Sequence, residues 1–258
     1  MSPMKRTGLV ITALLLLVAA VAEAQPASST VIIPVAGSVT GANGETFRTA
    51  IRLRGYGPGR IYFRGSSHFG DERDPSVAYF MHTIGDSPSH VYFDDVMGAI
   101  GVTGLGSLDI VPDRPELPFT AETYVYHQTA GGRFGSDVPS VRSGAVPDSY
   151  DFPIDLETVQ TSRINVGIRT FDKPVTVILG TLRGDIVHPL ENLTVPAHSF
   201  RQYSLAELLQ SGEECSAPAE CAAGALVIHF GSAEETALVY STVTDNGTGD
   251  PRVYVPGD

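Results

Sequence analysis

The residues best equipped for chemistry sit together in Ser66-Ser67-His68-Phe69-Gly70-Asp71-Glu72-Arg73-Asp74. One imidazole and several carboxylates are the donor types of a cation site, but the carboxylates suit calcium while the histidine suits zinc. His68, Asp71, Glu72 and Asp74 are therefore read as a solvated loop, with no metal assigned. Asp245-Asn246-Gly247-Thr248-Gly249-Asp250 offers oxygens in the manner of a calcium loop. It lacks the alternating ligands and closing glutamate of an EF-hand, and its Gly and Asn density reads as a tight turn. Gly98, Gly101, Gly104 and Gly106 lead out of a helical stretch into a strand, the wrong order for an anion held at a helix N-terminus. No G-x-S-x-G, H-E-x-x-H or Cys beside His occurs. The chain is read as non-enzymatic, with no catalytic residue, metal ligand or cofactor.

Cys215 and Cys221 are the only cysteines. An isolated pair so close in an exported chain is most simply a disulfide closing a surface loop, worth about 2.4 kcal/mol by chain entropy. A metal would need more ligands, of which only His229 is near in sequence, and a redox motif would be C-x-x-C. Asn192-Leu193-Thr194 and Asn246-Gly247-Thr248 are short sequons that matter only in a glycosylating host.

Export is read from the first residues. Lys5 and Arg6 precede an apolar run from Leu9 to Ala22, and Ala22-Glu23-Ala24 puts small residues where a signal peptidase reads. The run is too short to span a bilayer as a helix. Residues 1–24 are expected to be removed before Gln25, taking Lys5, Arg6 and Glu23 with them and moving the formal charge from −12 to −13. So acidic a chain is a poor partner for nucleic acid or an anionic membrane surface, and its charges are scattered in the way that serves solubility. The expected partner is a protein or glycan outside the cell or in its envelope.

These residues must be positioned by a framework that the sequence writes twice, about 115 residues apart. Arg48-Thr49-Ala50-Ile51-Arg52-Leu53-Arg54 is answered by Arg163-Ile164-Asn165-Val166-Gly167-Ile168-Arg169, apolar or Thr residues alternating in step. Asp94 precedes one helical stretch as Ser204 precedes another, Tyr124 anticipates Tyr240, and Val138-Pro139 anticipates Val255-Pro256. Period-two alternation marks a half-buried strand, and short β-rich runs separated by Gly, Pro, Asp and Ser continue through both copies. The expected fold is all-β: two tandem antiparallel β-sandwiches of immunoglobulin-like type, residues 25–142 and 143–258, each with one short helix. Asp94 and the Ser204…Glu207 capping box are the expected helix starts. Val31-Ile32-Ile33-Pro34-Val35-Ala36 reads as an edge strand because proline lacks a ladder donor. The Pro-rich stretch from Gly131 to Thr161 reads as the junction.

Ile33-Pro34-Val35, Gly41-Ala42-Asn43-Gly44-Glu45-Thr46-Phe47-Arg48-Thr49, Arg163-Ile164-Asn165-Val166-Gly167, Ser199-Phe200-Arg201-Gln202 and Asp245-Asn246-Gly247-Thr248-Gly249-Asp250-Pro251 together resemble a family of exported bacterial proteins with tandem β-rich repeats. That family runs G-A-x-G-x-x-F-R-T early and D-N-x-T-G-D-P late, and the likeness covers nearly the whole mature chain. It implies β-sandwich modules, alone or appended to other extracellular proteins, and carries over no catalytic residue. The chain departs from the pattern at Gly55-Tyr56-Gly57-Pro58-Gly59 and in the cysteine loop. The function expected is binding, adhesion or a structural role at or outside the cell surface. Tyr56, Tyr62, Tyr92 and Tyr150 keep a carbohydrate-binding module as the first alternative, although there is no Trp platform. A hydrolase with a site between the copies is the second.

Overall fold

The computed structural model describes residues 30–41, 44–65, 74–81, 88–129, 132–142, 149–155, 161–183, 186–211, 225–231 and 236–255. Cys215, Cys221, His68, Asp71, Glu72 and the leader lie outside them. The chain is all-β, its strands paired antiparallel, with two short helices among the described residues.

The first half contributes β1 (Val31–Thr40), β2 (Thr46–Gly55), β3 (Gly57–Arg64), β4 (Ser76–Met81), β5 (Ser89–Phe93), α1 (Val96–Ile100), β6 (Gly104–Pro112), β7 (Thr120–Thr129), β8 (Gly132–Val138) and β9 (Val141–Arg142). The second contributes β10 (Ser149–Asp155), β11 (Ser162–Thr170), β12 (Val175–Arg183), β13 (Ile186–Val195), β14 (Phe200–Ser204), α2 (Leu205–Ser211), β15 (Ala225–Phe230), β16 (Ala237–Asp245) and β17 (Pro251–Tyr254).

The strand order repeats. In the first half β4-β3-β6-β1 and β5-β2-β7-β8 are ladder paths; in the second the paths are β13-β12-β15-β10 and β14-β11-β16-β17, the same order in corresponding strands. The registers agree: Ile51 faces Phe93 and Thr123, as Val166 faces Tyr203 and Ser241. Inward-facing Thr49, Ile51 and Leu53 and their counterparts Ile164, Val166 and Ile168 are buried, as the alternation requires. Tyr124 and Tyr240 are not equivalent, however. Tyr124 lies opposite Ala50, the ladder position that Thr242 takes opposite Asn165.

Strand β1 is not an edge. Its first part pairs with β6 and β9, its last residues Val39 and Thr40 pair with β2, and so it joins the first half into one nine-stranded sheet. Pro34 sits where the register shifts between Ile33 and Ala36, so its missing donor falls in a bulge. Farther along, the Thr49 hydroxyl accepts from the Gly37 N–H at 2.8 Å and donates to the Gly37 carbonyl at 3.1 Å, satisfying backbone as β1 changes sheets. Pro153, read as part of the junction, lies within β10, where the register shifts between Phe152 and Asp155.

Both helices lie between the fifth strand of their half and the next, and both turn side chains inward. Asp95, not Asp94, caps α1: its carboxylate accepts from the Gly98 N–H at 3.0 Å, while Gly101 closes the helix at φ 83°. Val96 and Met97 of α1 and Leu205 and Leu208 of α2 are buried in the respective cores. Burying one such side chain contributes about 1.5–3 kcal/mol, which anchors helices too short to stand alone.

Candidate functional site

The outer face of the sheet β14-β11-β16-β17 is the most unusual surface of the molecule, because most of it is covered by the first half. Along β11 the outward positions are Arg163, Asn165, Gly167 and Arg169, alternating with the buried Ile164, Val166 and Ile168. In the first half the corresponding positions of β2 are Arg48, Ala50, Arg52 and Arg54. There the Arg48 and Arg52 side chains are 49% and 60% exposed and pair at 3.3 Å with Asp95 and Glu122. The same strand therefore meets water in one copy and protein in the other.

One end of this face is closed. Phe200, Leu238 and Tyr240 belong to the apolar cluster that includes Ile33, Val35 and Leu108 of the first half. Arg169 is 4% exposed and donates to both oxygens of Asp109 at 2.5 and 2.9 Å. Asp109 also accepts from Arg64 Nε at 2.7 Å, and Arg64 in turn pairs with Asp74. Two cations and two carboxylates thus balance. Burial alone would raise the Asp109 carboxyl, but the charge and hydrogen bonds of Arg169 and then Arg64 outweigh it and hold it below the usual carboxylate range. Gly167 lets the ring of Tyr240 lie flat against β11, since a Cβ at 167 would fall inside that ring. Tyr240 is fully buried, which pushes its phenol up, and it donates to Gln202 Oε1 at 2.8 Å.

The other end of the face opens into a cavity of about 250 Å3. Its second-half wall is mostly polar, with Arg163, Asn165, Gln202, Thr242 and Thr244 beside Pro251 and Val253. Its first-half wall carries Val35, Val39, Phe47, Leu105 and Val125. Arg163 Nε and Nη2 are out of contact with water and have no hydrogen-bond partner. Near the β1–β2 turn the ring of His127 is stacked on Phe47 at 5.6 Å and meets Phe134 edge-on at 5.7 Å. His127 is 3% exposed and neither ring nitrogen has a partner, while a Cβ on Gly249 would come within 3.1 Å of its Cε1.

Of the residues singled out in the sequence, Asp74 is not solvated but largely buried against Arg64. Asp245 accepts from the Gly247 and Thr248 N–H groups at 2.7 and 2.8 Å, which makes the segment a tight turn and, led by the Thr248 bond, lowers the Asp245 carboxyl. His229 faces Ile178 in the β12–β15 ladder. Among the described residues no three His, Cys, Asp or Glu side chains are placed to share a metal ion, and no helix is long and apolar enough to cross a membrane. Tyr92 is 51% exposed and borders an open groove with Arg52, Glu122, Tyr124 and Asp137. The sequence reading passed over Arg163, His127 and Asp109. The signal for Arg163 was in view, an arginine kept at the same place in both copies, but nothing local said that one of the two would be covered.

Comparison of the chain with family models, with curated proteins and with solved structures found no match.

Proposed function

We propose that the chain is an exported, non-enzymatic binding protein built from two tandem immunoglobulin-like β-sandwich modules, residues 25–142 and 143–258, with its recognition site in the seam between them. The observation that carries this reading is the divided outer face of β14-β11-β16-β17. Half of it is locked to the first module through Arg169 and Asp109, and half is left lining a cavity. A locked junction holds the two walls at fixed separation, so a ligand is met by a pre-organised site. The partner belongs to the cell envelope or the space outside it, in keeping with the export signal read in residues 1–24.

Hydrogen–deuterium exchange of the full mature chain tests this against envelope glycans, envelope peptides and small carboxylates. Slowed exchange centred on β11, β14 and β16 is the expected result. Protection confined to other strands, or conversion of an added compound into a new product, overturns it.

A carbohydrate-binding reading has one specific observation in its favour, the open polar groove beside Tyr92 and Tyr124. Sugar rings stack on exposed aromatic faces while their hydroxyls take polar partners. Glycan binding lost in Tyr92→Ala, with β11 unprotected, would put that reading first.

A further inference from the structure

The internal repeat shows what Arg163 lacks. Its counterpart Arg48 pairs with Asp95 at 3.3 Å. The β2–β5 and β11–β14 ladders bring Phe93 and Tyr203 to the same place, and counting two residues onward sets Leu205 where the first copy has Asp95. Leu205 is fully buried in the second core. The second copy has kept the guanidinium and exchanged its carboxylate for an apolar side chain. Two guanidinium nitrogens, Nε and Nη2, sealed from water without a partner are costly, and such groups call for a specific explanation.

We propose that the seam cavity binds a small organic carboxylate, its anionic head on Arg163 and its apolar body against Val35, Val39, Phe47 and Leu105. The proposal rests on the reading of the seam as the binding site and names the ligand class for it. Among the described residues that line the cavity, Arg163 carries the only charge, which suits an anion. Gln202 spends its amide oxygen on Tyr240, which leaves its NH2 group as a donor, and Asn165 Nδ2 reaches Thr242 only at 3.4 Å. A donor-rich wall opposite an apolar wall selects a molecule that is polar at one end only. The volume of about 250 Å3 holds about eight waters and falls just below the usual range for drug-sized ligands. A ligand of about ten non-hydrogen atoms fits that space. Planar, two-pronged recognition of a carboxylate is what a guanidinium does best.

Isothermal titration of the full mature chain with phenylacetate and with 2-phenylethanol, which carries the same ring without the charge, tests the proposal. Phenylacetate should bind one-to-one, about tenfold or more tighter than the alcohol, the difference expected of a charge-assisted hydrogen bond. Arg163→Gln should bring phenylacetate down to the level of the alcohol, and Arg163→Lys should keep part of the preference. Equal binding of the two compounds, or phenylacetate binding unchanged in Arg163→Gln, overturns the proposal. Should Arg163→Gln fail to fold, the acid and alcohol compared on the native chain decide the matter. No binding of phenylacetate, while exchange still shows β11 protected by a glycan or peptide, discards the carboxylate and leaves the seam standing. No protection by any ligand discards both.

Discussion

Arg169 sets two guanidinium nitrogens on the two oxygens of Asp109, at 2.5 and 2.9 Å, and this pair joins β11 of the second half to β6 of the first. It is a two-pronged bond between side chains that are both nine-tenths or more buried. With Arg64 and Asp74 it forms a network of no net charge, the condition under which ions are tolerated inside a protein.

Removing one member leaves its partner stranded. Asp109→Asn should lower the stability of the chain by about 3–5 kcal/mol, because Arg169 would remain buried without a counter-charge. Replacing both residues together, Asp109→Leu with Arg169→Met, should recover most of that loss. Urea unfolding of the three variants measures both effects, and a loss in Asp109→Asn below about 1 kcal/mol would contradict the burial argument.

The same carboxyl sets a pH dependence. Its folded pKa is held below the unfolded value of about 3.9, so between the two values the unfolded chain binds more protons and stability rises with pH. The contribution of Asp109 is complete above about pH 5 and is lost as the pH falls through the folded pKa. Melting temperatures from pH 2 to 7 should drop on the acid side in the native chain and drop less steeply in Asp109→Asn.

Outward-facing arginines of β2 and of β11 should respond differently. Arg52 and Glu122 are 60% and 72% exposed, so Arg52→Ala should change stability by no more than about 0.5 kcal/mol. Arg169→Ala, which strips the buried Asp109 of a partner, should cost several times more. Equal losses would mean that the face of β11 is not covered in solution.

Gly167→Ala should destabilise by about 1–3 kcal/mol, since the added methyl meets the Tyr240 ring and both are locked in the seam. Tyr240→Leu in the same chain should relieve part of the strain, and a double-mutant cycle of denaturation midpoints reads the coupling. Additive losses would show that the two residues do not touch.

Export and the cysteine loop have a direct check. Protein from a secreting host should begin at Gln25, and intact mass after alkylation without reduction should show Cys215 and Cys221 unmodified because they are bonded to each other. Two alkylated thiols would exclude the disulfide.

The duplication was readable because an inward face must be apolar whichever copy it belongs to, so Ile51 and Leu53 reappear as Val166 and Ile168. The seam was not readable, for the same reason turned round. A residue that meets another unit and one that meets water can both be arginine, and Arg169 and Arg54 differ only in what lies opposite. Strand β1 shows the cost of local reasoning. Val31, Ile32, Ile33, Val35 and Ala36 form an unbroken apolar run because both faces of the strand are covered, one by its own core and one toward the second half. Proline in that run argued for an edge, and the bulge at Pro34 is how the fold keeps the strand inside. Helix α1 was placed correctly to within one residue, since Asp94 and Asp95 are equally good caps on paper. The structure gives Asp95 the cap and Asp94 to Arg133.

When one module seats its outer sheet on the module before it, the contact is head-to-tail, and head-to-tail contacts propagate into fibres unless one end refuses the next copy. The refusal here lies at a single ladder position. Where the second half has Gly167, against which Tyr240 lies, the first has Arg52, paired with Glu122 and facing water. A docking of β2 like that of β11 would have to displace this side chain. The two outer faces are therefore not interchangeable, and one side chain tells them apart.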